Sequence, residues 1–434
     1  MLPWGDLIED FLDTIGVSLE GMRDELSGGW MFGYIEALRR AGVDVDLVCV
    51  SARVDSPLRW RHGPTGASIR LLPAARAYRA LRGRLADPYA WTKLAAVGGA
   101  SGAALPAALL ARQLAPYCAT PVARLTQVLR AEGYDALLCQ EYEYPRFDVC
   151  VALGKALRVP VFATFQGGVH HLAALEGAIR PLTLRACKGV IIGPRREGER
   201  VRRRYGLGPD KIARIFNPLD VDEWAPQDRA RARRELGIDQ NALVVAWHGR
   251  IDIYRKGLDV LCHAWRELYQ RRADTRMRLL LVGTGTDSSR LRRSIVDLRL
   301  QGVLWLDEYV LDRDRLRRCL SAADVYVFPS RDEGFPVAPI EAMASGLPVV
   351  AADASGIADI FEGGEASGGI IVPRVDAAAL ASTLERVLNQ DGWRRQLGAQ
   401  ARRRAHAAFA LESVGRQLRD FLATPSQASR RAEP

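Results

Sequence analysis

The sequence has few of the residues that build metal centres or disulfide frameworks. It contains six histidines and seven cysteines, and no two cysteines form a C-x-x-C pair. An odd number of scattered cysteines is typical of reduced, mostly buried thiols, so we expect a cytoplasmic protein without a disulfide framework. His170 and His171 are adjacent, which is poor geometry for one metal ion on a regular element. We therefore expect no metal site.

Targeting and membrane-spanning signals are also scarce. The first residues, MLPWGDLIEDF, carry acids where a secretory signal would carry basic residues, and we expect no such signal. Residues 94–111 are uncharged, but they are rich in Ala and Gly and include Pro106, so they are too weakly hydrophobic for a convincing membrane span. A mobile lid, a buried helical hairpin and a membrane-contacting segment remain alternatives for this stretch.

Positive charge is present in excess and is concentrated in one segment. The chain of 434 residues is 48% hydrophobic and 26% charged, which is typical of a globular protein long enough for two domains. Its net charge is +10, and residues 51–130 contain twelve Lys or Arg against two Asp, so this segment alone accounts for +10. Such a field attracts an anionic partner. Because no nucleic-acid recognition element is evident, a phosphorylated acceptor or an anionic membrane surface fits better than nucleic acid.

The N-terminal part of the chain predicts a βαβ unit. We expect a first strand over residues 13–19, a turn at Gly28-Gly29, a helix over residues 30–40 and a strand over residues 43–50. Glycines at this turn allow a ligand to approach the backbone closely. We predict an N-terminal domain over 1–225, which includes a basic, Ala- and Gly-rich insert at 51–130, and a C-terminal domain over 240–402. A C-terminal helix over 403–423 should return toward the N-terminal domain, and a disordered tail over 424–434 should follow it.

In the second half, short apolar strands alternate regularly with helical segments. This alternation predicts a parallel sheet covered on both faces by helices. The predicted strands lie at 244–247, 278–282, 303–306, 324–328, 348–352 and 369–372.

The stretch 324–352 reads as strand, loop, helix and strand, and it carries the most specific chemistry. We expect Pro336 at the first helical position and Gly346 as the helix stop. Amide groups at a helix start favour a phosphate, while the carboxylates of Glu333 and Glu341 suit the hydroxyl pairs of a ribose or hexose. Together these features indicate a sugar-nucleotide site.

Two cations follow the first strand of the second half. Arg250 comes after Gly249, and Lys256 opens the next helix. Ligands of open α/β sheets bind outside the carboxyl ends of the strands, so both cations should face the crevice that the Glu333 loop also faces. A planar guanidinium and a compact ammonium suit a diphosphate. Gly283 and Gly285 end another strand at this edge, where small residues permit a flat base to approach.

These motifs resemble the large glycosyltransferase family 4, whose members are retaining enzymes of the GT-B fold. The matching stretches are GRIDIYRKG at 249–257, LLLVGTGT at 279–286 and ADVYVFPSRDEGFPVAPIEAMASGLPVVAAD at 323–353. The first half matches more loosely, at the glycines 28–29 and at DKIARIFNPLD, 210–220. The resemblance implies an α/β architecture with two Rossmann-like domains facing each other across a cleft.

The family likeness implies a hexosyltransferase with defined residue roles. Glu341 would bind ribose hydroxyls, Glu333 would contact the donor sugar near its reacting carbon, and Arg250 and Lys256 would neutralise the departing diphosphate. No metal would be required, and the nucleotide sugar would be a substrate. Further donor contacts are implied for Gly28, Gly29, Gly249, Gly283, Gly285, Gly334, Phe335, Pro336, Val337 and Ala338.

The acceptor side departs from the family pattern. Many members place a His where this chain has Gln166, and Gln cannot shuttle a proton. His170 and His171 are the candidate substitutes. The acceptor would offer a hydroxyl, with anionic and lipid-linked acceptors and peripheral contact with an anionic inner membrane face as open alternatives. Polysaccharide, glycolipid or other glycoconjugate synthesis is the expected context, and a non-catalytic nucleotide-sugar-binding protein of the same fold is the rival hypothesis.

Overall fold

Strands covered by helices form the core of each half of the chain. The computed structural model describes residues 1–87, 89, 96–98, 100–102, 104–167, 174–272 and 275–423. The expected disordered tail at 424–434, His170 and parts of the stretch 94–111 lie outside the described residues.

The N-terminal half contains two small sheets, with strand orders β1-β3-β2 and β4-β5-β6-β7. Residues 1–2 join them, because Leu2 pairs in parallel with Cys139 and the backbone N–H of Val48 donates to the carbonyl of Met1 at 2.8 Å. The chain start therefore lies between the two sheets. The strands are β1 (Asp46–Ser51), β2 (Leu58–Arg61), β3 (Ser68–Pro73), β4 (Leu137–Gln140), β5 (Val161–Thr164), β6 (Gly189–Ile191) and β7 (Ile212–Ala213).

The predicted first strand over residues 13–19 is wrong. These residues belong to the end of one helix, Ile8–Ile15, and the start of the next, Leu19–Asp24. The spacing of the buried residues Ile8 and Leu12 follows a helix turn, and the Ser18 hydroxyl caps the second helix by accepting from the backbone N–H of Gly21 at 3.0 Å.

Part of the basic segment is a regular part of the first sheet. Strand β3 pairs in parallel with β1 and antiparallel with β2. Ile69 and Leu71, two positions apart, are fully buried, as the alternation of a strand requires. Arg59 and Arg61 lie exposed on the outer strand β2. The overall composition of this segment does not reveal the hairpin of β2 and β3, because the charged residues of β2 lie on its solvent-exposed side.

The C-terminal half is built on one parallel sheet with the order β10-β9-β8-β11-β12-β13. Its side chains alternate between two core clusters, with Val244 and Ala246 on one face and Val245 and Trp247 on the other. The prediction of a parallel sheet covered on both faces is confirmed. Its strands are β8 (Leu243–His248), β9 (Met277–Val282), β10 (Val303–Leu306), β11 (Val325–Phe328), β12 (Val349–Ala352) and β13 (Gly369–Val372).

The strand order places a crevice at a defined point of this sheet. From β8 the chain continues outward to β9 and β10, then returns to the other side of β8 for β11. Neighbouring strands whose connections run in opposite directions leave a crevice beyond their carboxyl ends. The residues that follow β8 and β11 are therefore at the natural ligand position.

Helices cover both halves. In the N-terminal half they are α1 (Ile8–Ile15), α2 (Leu19–Asp24), α3 (Gly29–Arg40), α4 (Arg76–Arg82), α5 (Ala104–Cys118), α6 (Val122–Glu132), α7 (Pro145–Leu157), α8 (Ala174–Ala186) and α9 (Arg195–Tyr205). In the C-terminal half they are α10 (Arg229–Glu235), α11 (Leu258–Arg272), α12 (Ser288–Asp297), α13 (Arg313–Ser321), α14 (Ala338–Ala344), α15 (Ile357–Ile360), α16 (Ala377–Asn389), α17 (Asp391–Phe409) and α18 (Leu411–Leu422). Among the described helices, none is both long and apolar enough to cross a membrane.

The last helix packs against the N-terminal half. The chain bends at Ala410, so the helical region predicted over 403–422 is divided between α17 and α18. A Cβ added at Gly415 would lie 2.0 Å from the carbonyl oxygen of Ala37 on α3, which shows how closely α18 and α3 approach. Arg40 of α3 pairs with Glu412 of α18 at 2.6 Å. The two halves are therefore connected by the C-terminal helix as well as by residues 214–242.

Candidate functional site

A cavity of about 450 Å³ lies between the two halves, at the crevice that the strand order predicts. Its wall in the C-terminal half comes from the ends of β8 and β9 and from α14. Its wall in the N-terminal half comes from the start of α3. Of the residues predicted from the sequence, the lining contains Gly28, Gly29, Gly249, Arg250, Lys256, Gly283 and Glu341. The structure thus brings residues that are far apart in sequence to one cavity.

Arg250 is the exposed cation of this wall. It follows β8 directly, its side chain is solvent-exposed, and it makes no ion pair or hydrogen bond with any residue that the structure describes. An unpaired guanidinium next to a cavity can offer two parallel N–H groups to a phosphate. The position of Arg250 agrees with its predicted contact to a diphosphate.

Lys256 and Glu333 form an ion pair that the sequence does not reveal. The Nζ atom of Lys256 donates to Oε1 of Glu333 at 2.6 Å, and both side chains are largely buried. Lys256 lines the cavity, whereas Glu333 lies behind it. Both were predicted as catalytic residues. Their contact orients the ammonium group at the cavity edge, and it means that a bound phosphate would share Lys256 with a carboxylate.

Glu341 is held by a residue that sequence reasoning missed. It lies in α14, and its Oε2 atom is 2.8 Å from Nε2 of His248, the last residue of β8. His248 also lines the cavity. The available signal was its position immediately before Gly249 and Arg250 at the end of a strand, where side chains face a ligand.

The loop after β11 packs closely against the N-terminal half. A Cβ added at Gly167, where φ is +100°, would lie 1.9 Å from Cα of Gly334. The side-chain amide of Asn217 donates to the carbonyl of Phe335 at 3.0 Å, and the ring of Phe335 stacks on Phe216 at 5.0 Å between centroids. The structure therefore places Gly334 and Phe335 against the N-terminal half. The predicted donor contacts Gly334, Phe335, Pro336, Val337 and Ala338 all lie outside the cavity lining.

The start of the helix in this stretch differs from the prediction. Helix α14 begins at Ala338, with Pro339 in its first turn, so Pro336 precedes the helix. The carbonyl of Val337 accepts from the N–H groups of Ile340 at 2.8 Å and Glu341 at 3.0 Å. Proline suits the first turn at either position because its missing N–H has no partner there, and the sequence alone does not choose between two prolines three residues apart.

The glycines after β8 and β9 are explained by packing against backbone. A Cβ at Gly283 would lie 1.9 Å from the carbonyl oxygen of Gly249, and one at Gly285 would lie 2.3 Å from that of Ile251. Gly283 also lines the cavity, whereas Gly285 packs behind it. The close approach of two strand-end loops therefore requires glycine at both positions, and the approach of a flat base stays a prediction.

Arg313 is a second lining residue that was not predicted. It lies at the start of α13 and pairs with Glu223, and its guanidinium sits over Gly28. A Cβ at Gly28 would lie 1.9 Å from Nη2 of Arg313. This side chain of the C-terminal half therefore reaches the start of α3, beside the predicted anion position.

On the N-terminal side, Gln166 is part of a hydrogen-bond network. Its side-chain amide donates to the Thr164 hydroxyl at 3.0 Å. The buried carboxylate of Glu141 accepts from the backbone N–H groups of Gln166 at 3.1 Å and Gly167 at 3.3 Å. Glu141 has a strained backbone with φ of 119°. Burial raises the pKa of its carboxyl group to about 7, and the nearby carboxylate of Glu197 raises it as well. His170 lies outside the described residues.

Two family models match the chain, one in each half. Residues 31–223 match the model described as Glycosyltransferase Family 4, and residues 242–390 match the model described as Glycosyl transferases group 1.

Individual relatives match about half of the chain by length. The chain is 33% identical to the D-inositol 3-phosphate glycosyltransferase of Rhodococcus jostii over 214 residues, 48% of this chain and 46% of that protein. It is 35% identical to the protein of the same name from Nocardia farcinica over 209 residues, 47% of this chain and 45% of that protein. The chain thus matches these curated relatives over about half of their length.

Solved structures share the fold over nearly the whole chain. Sucrose-phosphate synthase from Thermosynechococcus elongatus has a TM-score of 0.68 at 22% identity, with 95% of this chain and 97% of that chain covered. Anabaena HepE in complex with UDP-glucose has a TM-score of 0.66 at 16% identity, with 92% and 98% covered. At these identities the likeness shows the architecture alone. The two family models, one in each half, place the chain with the glycosyltransferases of family 4 and group 1, and the solved structures show that its architecture is the GT-B fold.

Proposed function

We propose that this protein is a retaining glycosyltransferase that moves a hexose from a nucleotide diphosphate sugar to an acceptor hydroxyl. The observation that carries the proposal is the convergence of Arg250, Lys256 and Glu341 on one cavity, with the start of α3 opposite. The glycosyltransferase activity named for the relatives and the UDP-glucose complex of Anabaena HepE support a nucleotide-sugar donor. Polysaccharide, glycolipid or other glycoconjugate synthesis is the proposed context.

The charges of the cavity suit the leaving group of such a reaction. As the glycosyl bond to the diphosphate breaks, negative charge grows on the phosphate oxygen, and fixed cations close to it lower the barrier. Lys256 is oriented by Glu333 before a ligand binds, whereas the guanidinium of Arg250 is unpaired among the described residues and available to a phosphate. In the proposed reaction they stabilise this charge without a metal ion.

Retention is proposed to follow from a front-face reaction. The bond between the sugar carbon and the phosphate oxygen breaks, and the acceptor oxygen forms its bond on the same face. The acceptor proton passes to the departing phosphate oxygen. This route needs no proton shuttle at position 166, where the amide of Gln166 donates to Thr164.

Two substitutions test the proposal. Arg250→Ala and Lys256→Ala should each lower kcat by about 10²-fold or more, the scale of a lost charge-stabilising contact. Arg266→Ala, at an exposed position of α11, is the matched control and should leave kcat unchanged. The measurement is donor turnover with a broad acceptor panel, after a thermal-shift screen with UDP, GDP, ADP and their sugars. Full activity in both site variants would refute the assigned roles.

The same measurements distinguish the proposed transferase from the rival function, a protein that binds the nucleotide sugar without turnover. Nucleotide-sugar binding without donor hydrolysis or transfer would favour a non-catalytic binding protein.

Activity that survives EDTA treatment would support metal independence, whereas loss of activity that Mg²⁺ or Mn²⁺ restores would contradict it.

We further propose that residues 51–130 face an anionic or lipid-linked acceptor and contact an anionic membrane peripherally. Part of their charge is neutralised within the fold, but Arg59 and Arg61 are exposed on the edge strand β2. Co-sedimentation with liposomes should rise with anionic lipid content and fall with salt. Binding that responds to neither would contradict the membrane contact. Among the described residues, the ion pairs of this segment are Arg53 with Asp13, Arg70 with Asp46 and Glu132, and Arg82 with Asp10.

A further inference from the structure

His248 contacts Glu341 at the wall of the cavity, and neither of its neighbours in sequence can take over this contact. The ring nitrogen Nε2 lies 2.8 Å from Oε2 of Glu341. Only 8% of the His248 side chain and 15% of the Glu341 side chain are exposed. Gly249 has no side chain, and Trp247 points into the core on the opposite face of the sheet. The pair is therefore a specific, largely desolvated contact at the cavity surface.

The imidazole ring is fixed from behind by the sheet. The Tyr326 hydroxyl accepts from the backbone N–H of His248 at 3.4 Å and donates to its carbonyl at 3.3 Å, and the two rings lie 5.3 Å apart. The other ring nitrogen, Nδ1, is buried and has no hydrogen-bond partner among the described residues. A proton on Nδ1 would leave a buried donor unpaired, so this geometry favours the tautomer with its proton on Nε2.

The contact leaves one oxygen of Glu341 for a ligand. Oε2 accepts from His248, and no described residue donates to Oε1. A carboxylate with both oxygens free could rotate and accept from several hydroxyl arrangements, whereas one held oxygen defines the direction of the other.

We propose that His248 is a positioning residue that holds Oε2 of Glu341, so that Oε1 accepts a hydroxyl group from the ribose of the nucleotide. The inference rests on the proposed function, because it requires a nucleotide in this cavity. It assigns His248 no contact with the reacting atoms. It predicts that His248 contributes to binding only when the ribose hydroxyl is present.

The variants separate the hydrogen bond from packing. His248→Phe retains an aromatic ring but has no donor. His248→Asn carries an amide donor on a shorter side chain that does not reach Glu341, so it supplies a second variant without the contact if the first folds poorly. His248→Gln places an N–H group at a reach similar to that of Nε2 and should restore the contact. Thermal unfolding of each variant identifies those that fold.

The ligands separate the ribose contact from the rest of the nucleotide. UDP, GDP and ADP are first titrated with the native protein by calorimetry. The tightest binder is then compared with its 2′-deoxy and 3′-deoxy forms. The native protein should bind one of these deoxy forms roughly 10- to 100-fold more weakly, the scale of a hydrogen bond to a charged group.

The Phe and Asn variants, which both lack the contact, should bind the ribonucleotide about tenfold or more weakly and bind that deoxy form as the native protein does. His248→Gln should regain most of the preference for the ribonucleotide. Equal loss of affinity for both ligands, in whichever of the Phe and Asn variants folds, would overturn the positioning role and leave the proposed function intact. Failure of the native protein to bind any of the three nucleotides would overturn the proposed function and this inference together.

Discussion

Replacing Gly334 with alanine should disable the protein while its two halves remain folded. Gly334 lies in the loop between β11 and α14, at its contact with the N-terminal half. A Cβ at this position would lie 2.1 Å from Cα of Gly167 and 2.2 Å from the carbonyl oxygen of Gln166. Both are backbone atoms, so no flexible side chain can turn aside to make room.

The size of the effect follows from these distances. Ordinary van der Waals contact begins near 3.4 Å, so the loop and the opposite turn must separate by about 1.3 Å from the 2.1 Å contact. The same loop carries Glu333, which orients Lys256, and leads into the helix that carries Glu341. A misplacement of about 1 Å can lower a rate by about 10²-fold. We therefore expect kcat/KM of Gly334→Ala to fall by about 10²-fold.

The assay compares donor turnover, nucleotide affinity and thermal unfolding with those of Gly392→Ala. Gly392 lies in α17, and a Cβ added there meets nothing within 4 Å. This control should retain full activity and gain up to about 1 kcal/mol of stability, because alanine favours a helix over glycine. If kcat/KM of Gly334→Ala is within twofold of the native value, activity does not require the close contact between the halves at this position, and the reasoning is refuted.

Three further predictions follow from buried charges. Glu333→Gln should weaken the orientation of Lys256 and lower kcat, with nucleotide binding retained, and an unchanged kcat would show that the 2.6 Å ion pair has no role in turnover. The pKa of Glu141 is raised from 4.5 to about 7 in the fold, so its contribution to stability should be full below pH 4.5 and should decrease by about 3 kcal/mol as the pH rises through 7. Urea unfolding at several pH values should show this dependence in the native protein and a flatter one in Glu141→Gln. Asp324→Asn should reduce the free energy of unfolding by about 3–5 kcal/mol, because it leaves the buried Arg233, 2.9 Å away, without its charged partner, and a loss below 1 kcal/mol in urea unfolding would contradict this.

The sequence predicted the C-terminal half well because its signals are local. Each strand of that sheet is a short apolar run, and each run is followed by a helix, which is shortest after β12. Runs of this kind can only be buried as a parallel sheet with helices on both faces. The carboxyl ends of such strands share one edge, so the positions of Arg250, Lys256 and Glu341 near one another also follow from local pattern.

The N-terminal half was less predictable because its pairing is not local. Residues 1–2 lie between β1 and β4, which are separated from them by about 45 and 135 residues. No pattern in two residues specifies such partners. The hairpin of β2 and β3 was obscured because its charged side chains lie on the exposed side, and the total composition of residues 51–130 averages over that alternation.

By itself, therefore, the sequence determined the alternation of strands and helices after residue 242, the residue types at the strand ends and the family resemblance. The tertiary structure alone decided which side chains pair: Lys256 with Glu333, His248 with Glu341, and Gly167 against Gly334. These partners are separated by 77, 93 and 167 positions. Their contacts depend on how two strand-end loops and two domains are placed, to within about an ångström, and the periodicity of a single segment carries no information of that kind.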